Sequence, residues 1–148
     1  MPVYFIDTNI LWWYLVKNSR HHQPIKSYMD ALILDTKNTF MMNEFVIIEL
    51  FHLLIKKKGK EGYEIGSELI NGKYPFFEIK YDLLQVSDLE GVLKIFGDYG
   101  YTTTIGGRDS TILYTMKCHS ITEIITNDQG FQTVKYIHCH DPLEKKDK

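Results

Sequence analysis

The sequence VYFIDTN, residues 3–9, predicts the class of fold of this chain. Four residues with a preference for strands, Val3 to Ile6, end abruptly at Asp7, which is the pattern of a strand buried on both faces of a sheet. Such strands occur in parallel sheets, because helices cover both faces of those sheets. We therefore expect an α/β fold, with Asp7 at the carboxyl end of its first strand.

Further strands and helices are expected along the chain. Strands are predicted at residues 39–42, 76–80, 123–126 and 136–140. Amphipathic helices are predicted at residues 8–15, 24–34, 43–58, 61–70, 82–99 and 106–116. Thr8 or Asn9 is the expected N-cap of the first helix, Asn43 caps the third, and Gly59 ends it. This order predicts a three-layer α/β/α fold with a mainly parallel central sheet of four to five strands.

Length and composition predict one domain. The 148 residues are 44% hydrophobic, so the chain can bury a core without disulfides or a structural metal. We expect a single domain over residues 1–141 and a charged tail over 142–148. There is no positively charged leader and no run of about 20 apolar residues, which predicts a cytoplasmic protein that does not enter a membrane.

The charge of the chain excludes one class of nucleic-acid-binding protein. Proteins that coat nucleic acid through bulk charge need an excess of Lys and Arg, whereas this chain has a formal net charge of -2. Nucleic acid remains open as a substrate, because a metal held by acidic residues adds positive charge that a residue count leaves out.

Four acidic residues lie at positions where they can meet in space. Asp7 ends the first predicted strand and Asp128 follows a later one, while Glu49 and Asp109 lie early in predicted helices. Ligands of open α/β sheets bind beyond the carboxyl ends of the strands. The four carboxylates are therefore expected to converge there.

Asp109 is the most informative of these acids. It shares a helix face with Ile112, Leu113 and Met116, so its carboxylate points along a stripe that faces the core. Burying one carboxylate costs several kcal/mol, and two carboxylates about 4 Å apart repel by about 4 kcal/mol at an effective dielectric constant near 20. Mg²⁺ or Mn²⁺ removes this repulsion, because hard cations prefer oxygen ligands, and it carries water that attacks phosphodiesters.

Four segments of the sequence resemble the PIN domain family. They are FIDTNIL (5–11), NEFVIIEL (43–50), GGRDSTI (106–112) and ITNDQGF (125–131), and they span nearly the whole chain. The resemblance implies an α/β/α ribonuclease that cuts RNA with Mg²⁺ or Mn²⁺. Small stand-alone members are commonly VapC-type toxins of toxin-antitoxin pairs, so it also implies an antitoxin partner.

The resemblance also implies which residues form the site. Asp7, Glu49, Asp109 and Asp128 take the four acidic positions of the family, with Asn9 and Thr126 as neighbours that orient them. Gly130 stands where the family often has a further Asp, which favours a one-metal site. Arg108, beside Asp109, is a candidate phosphate contact.

Simpler roles and a rival acid stay open. Asp7 also suits a helix N-cap, and Asp128 a turn. Glu44 rivals Glu49 as the second acid, because Glu44 is expected within an apolar stripe formed by Ile47, Ile48, Phe51 and Ile55. The resemblance favours Glu49, which is expected at the polar edge of its helix.

Partners and other functions stay open too. Trp12 and Trp13 point in different directions on a helix, so at least one is expected to meet another surface, that of a homodimer or an antitoxin. Three other functions are a PIN ribonuclease of RNA processing, a catalytically inactive scaffold that binds RNA or protein, and phosphoryl transfer through Asp7. The last usually needs a second Asp where Asn9 stands.

Overall fold

Five parallel strands form the central sheet. The computed structural model describes residues 2–144. The strands are β1 (Val3–Ile6), β2 (Thr39–Asn43), β3 (Phe77–Lys80), β4 (Glu123–Ile125) and β5 (His138–His140). They pair in the order β3-β2-β1-β4-β5, and each neighbouring pair is parallel. The predicted parallel sheet is confirmed, with β1 at its centre.

Helices flank this sheet and complete the α/β/α fold that the sequence predicts. They are α1 (Thr8–Leu15), α2 (His22–Ile33), α3 (Glu44–Ile70), α4 (Val86–Tyr99) and α5 (Gly107–Cys118), and a 3-10 helix covers Gln129–Thr133. Helix α1 packs against α2 and α3, and α4 packs against α5. The 3-10 helix was not expected from the sequence.

The core lies on both faces of the central strands. Phe5 and Ile6 point to opposite faces of β1, and both are completely buried. Ile124 and Ile125 are buried in the same way on β4. This burial on both faces is what the apolar run at the start of the chain predicts.

Asn43 connects three of these elements. Its Oδ1 accepts a hydrogen bond from Val46 N at 2.9 Å, so it caps α3 as the sequence predicts. Its Nδ2 donates to Thr111 O at 3.2 Å and to Thr115 Oγ1 at 3.1 Å. One buried side chain therefore holds the end of β2 and the start of α3 against α5.

Two predicted features of the helices need correction, and a third is confirmed. The N-cap of α1 is Asp7, not Thr8 or Asn9, because the helix begins directly after the strand and Asp7 Oδ1 accepts from Thr8 N. Helix α4 begins at Val86 rather than at residue 82. The predicted break at Gly59 and the predicted helix after it are confirmed, because Gly59 has the non-helical angles φ 55° and ψ -125° and joins two helical segments of α3.

Two further predictions concern the ends of the chain and membranes. Residues 142–144 of the predicted charged tail follow β5, and residues 145–148 lie outside the described residues. Within residues 2–144, no helix is both long and apolar enough to span a bilayer.

Candidate active site

The carboxyl ends of β1 and β4 place Asp7 at the switch point of the sheet. The chain leaves β1 toward β2 on one side, while β4 pairs with its other side. Asp7 is completely buried, and its N–H donates to Ile125 O on β4 at 3.1 Å. Its carboxylate accepts from Thr8 N at 2.7 Å and from Thr126 Oγ1 at 2.8 Å. Asp7 is thus an N-cap and also faces the ligand-binding edge of the sheet.

The buried hydroxyl group of Thr126 joins two of the predicted acids. It donates to Asp7 Oδ2 and accepts from Asp128 N at 3.0 Å. Asp128 Oδ1 in turn accepts from Gly130 N at 2.9 Å, at the start of the 3-10 helix. Asp128 therefore has the turn role that was left open, in a place that also directs it toward Asp7.

Asp109 lies in the first turn of α5. Its Oδ2 accepts from Gly106 N at 3.0 Å, and this hydrogen bond fixes the start of the helix. Asp109, Ile112, Leu113 and Met116 are all buried, so the predicted face of this helix does point inward.

Glu49, rather than Glu44, lies with these acids. Glu49 Oε2 accepts from Thr8 Oγ1 at 3.0 Å. The carboxylate of Glu44 instead accepts from the N–H groups of Asp82 and Leu83, at 3.2 and 2.6 Å. These bonds hold the chain in a non-helical path after β3, which explains why α4 begins later than predicted.

The apolar stripe predicted around Glu44 is correct for Ile47, which is buried, and for Phe51, which packs against the core, but wrong for its other two members. Ile48 is 63% exposed and Ile55 is 46% exposed. The buried side of α3 consists of Val46, Ile47, Leu50 and Leu54. The helix is rotated relative to the predicted stripe, because α1 and α5 pack against it and the buried set follows those contacts.

Arg108 connects all four acids. Its Nη1 lies 3.0 Å from both carboxylate oxygens of Glu49 and 3.9 Å from Asp7 Oδ1. Its Nη2 lies 3.3 Å from Asp109 Oδ1 and 3.8 Å from Asp128 Oδ2. We call these residues the four-carboxylate site: Asp7, Glu49, Asp109 and Asp128.

Burial and charge act in opposite directions on the pKa values of this site. Burial raises the pKa of Asp7 above its ordinary value, more than Arg108 and the hydrogen bonds from Thr126 and Thr8 lower it. Burial lowers the pKa of Arg108, but its acidic neighbours outweigh this effect and the net pKa is raised. Arg108 therefore stays charged, and ionisation of Asp7 is costly.

The donor atoms fit a hard divalent cation, whereas their present positions do not form a closed shell. All four side chains offer carboxylate oxygens, the ligands that Mg²⁺ and Mn²⁺ prefer. Among residues 2–144, no three acidic, His or Cys side chains converge closely enough to hold a metal ion. The guanidinium of Arg108 lies between these carboxylates and neutralises part of their charge.

The other residues singled out in the sequence lie in varied places. Asn9 is exposed on α1, and no hydrogen bond within residues 2–144 joins its side chain to the four acids. Trp12 lies beneath Lys57 Nζ, 5.4 Å from the ring centroid, and Trp13 packs edge-on against His21. Both Trp rings are partly buried within the chain itself, so they give no argument for a dimer.

Two contacts of the site were not expected from the sequence. The hydroxyl of Thr8 binds Glu49, and Arg108 reaches every member of the four-carboxylate site. The only sign of either contact in the sequence is that each residue is next to a predicted acid of the site: Thr8 follows Asp7, and Arg108 precedes Asp109. Adjacency alone did not reveal which way either side chain turns.

A family model described as the PIN domain matches residues 4–136. This chain belongs to the PIN domain family. A search of curated protein sequences finds no match. The family assignment thus depends on a match that includes all four carboxylates.

Solved structures share this PIN fold over nearly their whole length. Mycobacterium tuberculosis VapC20, described as a sarcin-ricin loop cleaving toxin, has a TM-score of 0.71 at 14% identity, covering 91% of this chain and 96% of its own. VapBC2 of Rickettsia felis, bound to promoter DNA, has a TM-score of 0.68 at 18% identity, covering 93% and 97%. FitAcB of Neisseria gonorrhoeae has a TM-score of 0.67 at 21% identity, covering 95% and 97%. At these identities the likeness shows the fold alone.

Proposed function

We propose that this PIN protein is a metal-dependent endoribonuclease that hydrolyses phosphodiester bonds of RNA. The observation that carries the proposal is that four carboxylates lie within 3.9 Å of one guanidinium at the carboxyl edge of the sheet. Four buried or half-buried acids around one cationic group are costly to maintain, and they suit a site whose task is to hold a cation.

Each acid has a proposed task. Asp7 and Asp109 are the most buried of the four and are held by backbone N–H groups, so they anchor the cation. Glu49 and Asp128 are more exposed and complete the site toward the substrate. Bound Mg²⁺ or Mn²⁺ supplies positive charge for the scissile phosphate and lowers the pKa of attacking water.

Neighbouring residues support these acids. Thr126 keeps the carboxylate of Asp7 oriented through its hydroxyl, and Asn9 lies on the exposed side of the same helix start. Arg108 is the proposed contact for an RNA phosphate, because guanidinium binds phosphate oxygens in a forked geometry. No side-chain nucleophile is required, since water attacks the phosphorus.

The first test is cleavage of a panel of structured RNAs by the purified protein with Mg²⁺, Mn²⁺ or EDTA. We expect cleavage that needs the metal and falls by at least about 100-fold in Asp7→Asn and Asp109→Asn, since each loses a proposed ligand. Asp98→Asn, an exposed acid on α4, is the matched control and should cut as the wild type does. Glu49→Gln should lose activity and Glu44→Gln should keep it.

Two outcomes would contradict the nuclease. Equal activity in wild type and Asp109→Asn would indicate a contaminating enzyme. A wild type that binds no Mn²⁺ and cuts no RNA in the panel would favour the inactive scaffold that binds RNA or protein.

We also propose that the chain is the toxin of a toxin-antitoxin pair and acts in the cytoplasm. VapBC and FitAB complexes among the structures of the same fold support an antitoxin partner. The exposed side chains of Val86, Leu89 and Leu93 give α4 an apolar surface that a protein partner would cover. A neighbouring gene for a small DNA-binding antitoxin would support this role, and its absence would favour RNA processing. Homodimerisation stays a prediction for sedimentation analysis.

A further inference from the structure

Arg108 is the shared cationic partner of the four-carboxylate site. Its two terminal nitrogens lie within 3.9 Å of all four acids, and two of these contacts, to Glu49 and Asp109, are hydrogen bonds. Among residues 2–144, no other Lys, Arg or His side chain comes within 4.0 Å of these carboxylates. One guanidinium therefore supplies all the side-chain positive charge that the described part of the chain brings to the site.

From this geometry we infer that Arg108 is an internal counter-ion, which competes with the divalent cation for the same carboxylates. The inference rests on the proposed function, because it concerns how tightly the site binds that cation. Mg²⁺ holds adjacent oxygen ligands about 3 Å apart. The guanidinium lies between Glu49 and Asp109, with one nitrogen toward each, and so keeps their oxygens apart by its own width. The acids cannot close around a cation until the guanidinium leaves.

The side chain has a route out of the site. Arg108 lies in the first turn of α5 and is 28% exposed, so rotations of its own side chain turn the guanidinium toward solvent. Asp109 keeps its position during this change, because its other oxygen is bound to Gly106 N. A guanidinium displaced in this way stands at the rim of the site, where an RNA phosphate would arrive.

Two consequences follow for the protein in solution. Without metal, Arg108 offsets the mutual repulsion of the acids and so stabilises the fold. With metal, the same arginine weakens the observed affinity, because its contacts must be broken before the cation binds. Removing its charge should therefore tighten metal binding and destabilise the metal-free protein.

Calorimetric titration of the full chain with MnCl₂ tests this competition directly. We expect Arg108→Gln to bind Mn²⁺ at least about tenfold more tightly than the wild type. Arg108→Lys should lie between the two, because an ammonium lacks the forked geometry that reaches several carboxylates. Arg20→Gln is the matched control, since Arg20 is exposed and is the only other arginine of the chain. Its affinity should equal that of the wild type.

Thermal unfolding supplies an independent measurement. In EDTA, Arg108→Gln should unfold at a lower temperature than the wild type. Adding Mn²⁺ should raise the Tm of this variant by more than it raises the Tm of the wild type. An Arg108→Gln protein that is folded and binds Mn²⁺ with unchanged or weaker affinity overturns the inference. If this variant does not fold without metal, Arg108→Lys decides, and an affinity equal to that of the wild type overturns it.

The failure of this inference differs from the failure of the proposed function. Equal, measurable Mn²⁺ affinities in wild type and variant overturn only the role of Arg108. No Mn²⁺ binding by either protein overturns the metal site itself, and the counter-ion role with it.

Discussion

Asp7 ionises at a cost to the folded protein. Burial raises its pKa, whereas in the unfolded chain an Asp titrates near about 3.9. As the pH rises, the unfolded protein therefore loses this proton first. The contribution of Asp7 to stability is largest below about pH 3.9 and is lost as the pH rises through its folded pKa.

We predict that Asp7→Asn stabilises the metal-free protein at pH 7 while it abolishes Mn²⁺ binding. The amide is neutral at every pH and keeps an oxygen that accepts from Thr8 N. Thermal unfolding in EDTA from pH 4 to pH 8 should show a Tm difference that shrinks toward pH 4. Asp98→Asn should show no such pH dependence, and an Asp7→Asn variant less stable than the wild type at pH 7 would contradict the prediction.

The kink in α3 has a backbone geometry that requires glycine. Gly59 has a positive φ of 55°, in the region that favours glycine. Beyond the kink, the helix returns so closely on its first half that a Cβ at Gly62 would lie 2.0 Å from Leu54 O. A backbone oxygen cannot move aside as a flexible side chain does.

Gly62→Ala should therefore destabilise the protein, by roughly 2 to 3 kcal/mol on the usual cost of overpacking. Gly97→Ala on α4 is the matched control, since nothing lies within 4 Å of its added Cβ. It should leave stability unchanged or raise it by up to about 1 kcal/mol, because alanine favours a helix. Urea unfolding of both variants gives the comparison; similar losses in both would show that the close approach at Gly62 carries no special cost.

Some ends of the helices could be predicted from the local sequence pattern, and others could not. Asn43 could be predicted as a cap, because a cap depends on its own side chain and the next three residues. The start of α4 could not, since it depends on Glu44, which lies 38 residues before Asp82 and holds the backbone there. The break at Gly59 and the helix after it were correctly predicted, but local sequence did not reveal how closely that second segment packs against the first.

At the scale of the whole molecule, Thr126 connects two parts of the site, because its hydroxyl binds Asp7, which lies 119 residues earlier in the sequence. Its hydroxyl is the donor to Asp7 and the acceptor for Asp128 N. Thr126→Val keeps the shape but removes both bonds, which leaves a buried carboxylate short of a donor. We predict a loss of about 1–3 kcal/mol in the free energy of unfolding, together with weaker Mn²⁺ binding.

Thr126→Ser is the control for this change, because it keeps the hydroxyl and loses only a methyl group. It should stay close to the wild type in metal affinity. Urea unfolding and Mn²⁺ calorimetry measure the two effects. A Thr126→Val variant that matches Thr126→Ser in both would show that the hydroxyl is dispensable.

The whole site could be predicted only in part. The fold class and the convergence of Asp7 with Asp109 and Asp128 follow from strand ends and from one helix face, which are visible in the sequence. The rotation of α3 and the direction of the Arg108 side chain depend on tertiary packing, so the sequence pattern did not contain them. The central position of Arg108 became visible only once distances from four elements could be compared.

The strand order also determines when during translation the site can form. β1 lies at the centre of the sheet, yet its neighbour β4 is made long after it, because two other strands and five helices lie between them in the sequence. At roughly 5–20 residues per second, the ribosome needs about 6 to 24 s to add the residues between Asp7 and Thr126. During that time the nascent chain carries Asp7 without Asp128. The proposed site for cutting RNA is therefore incomplete until translation has passed Asp128.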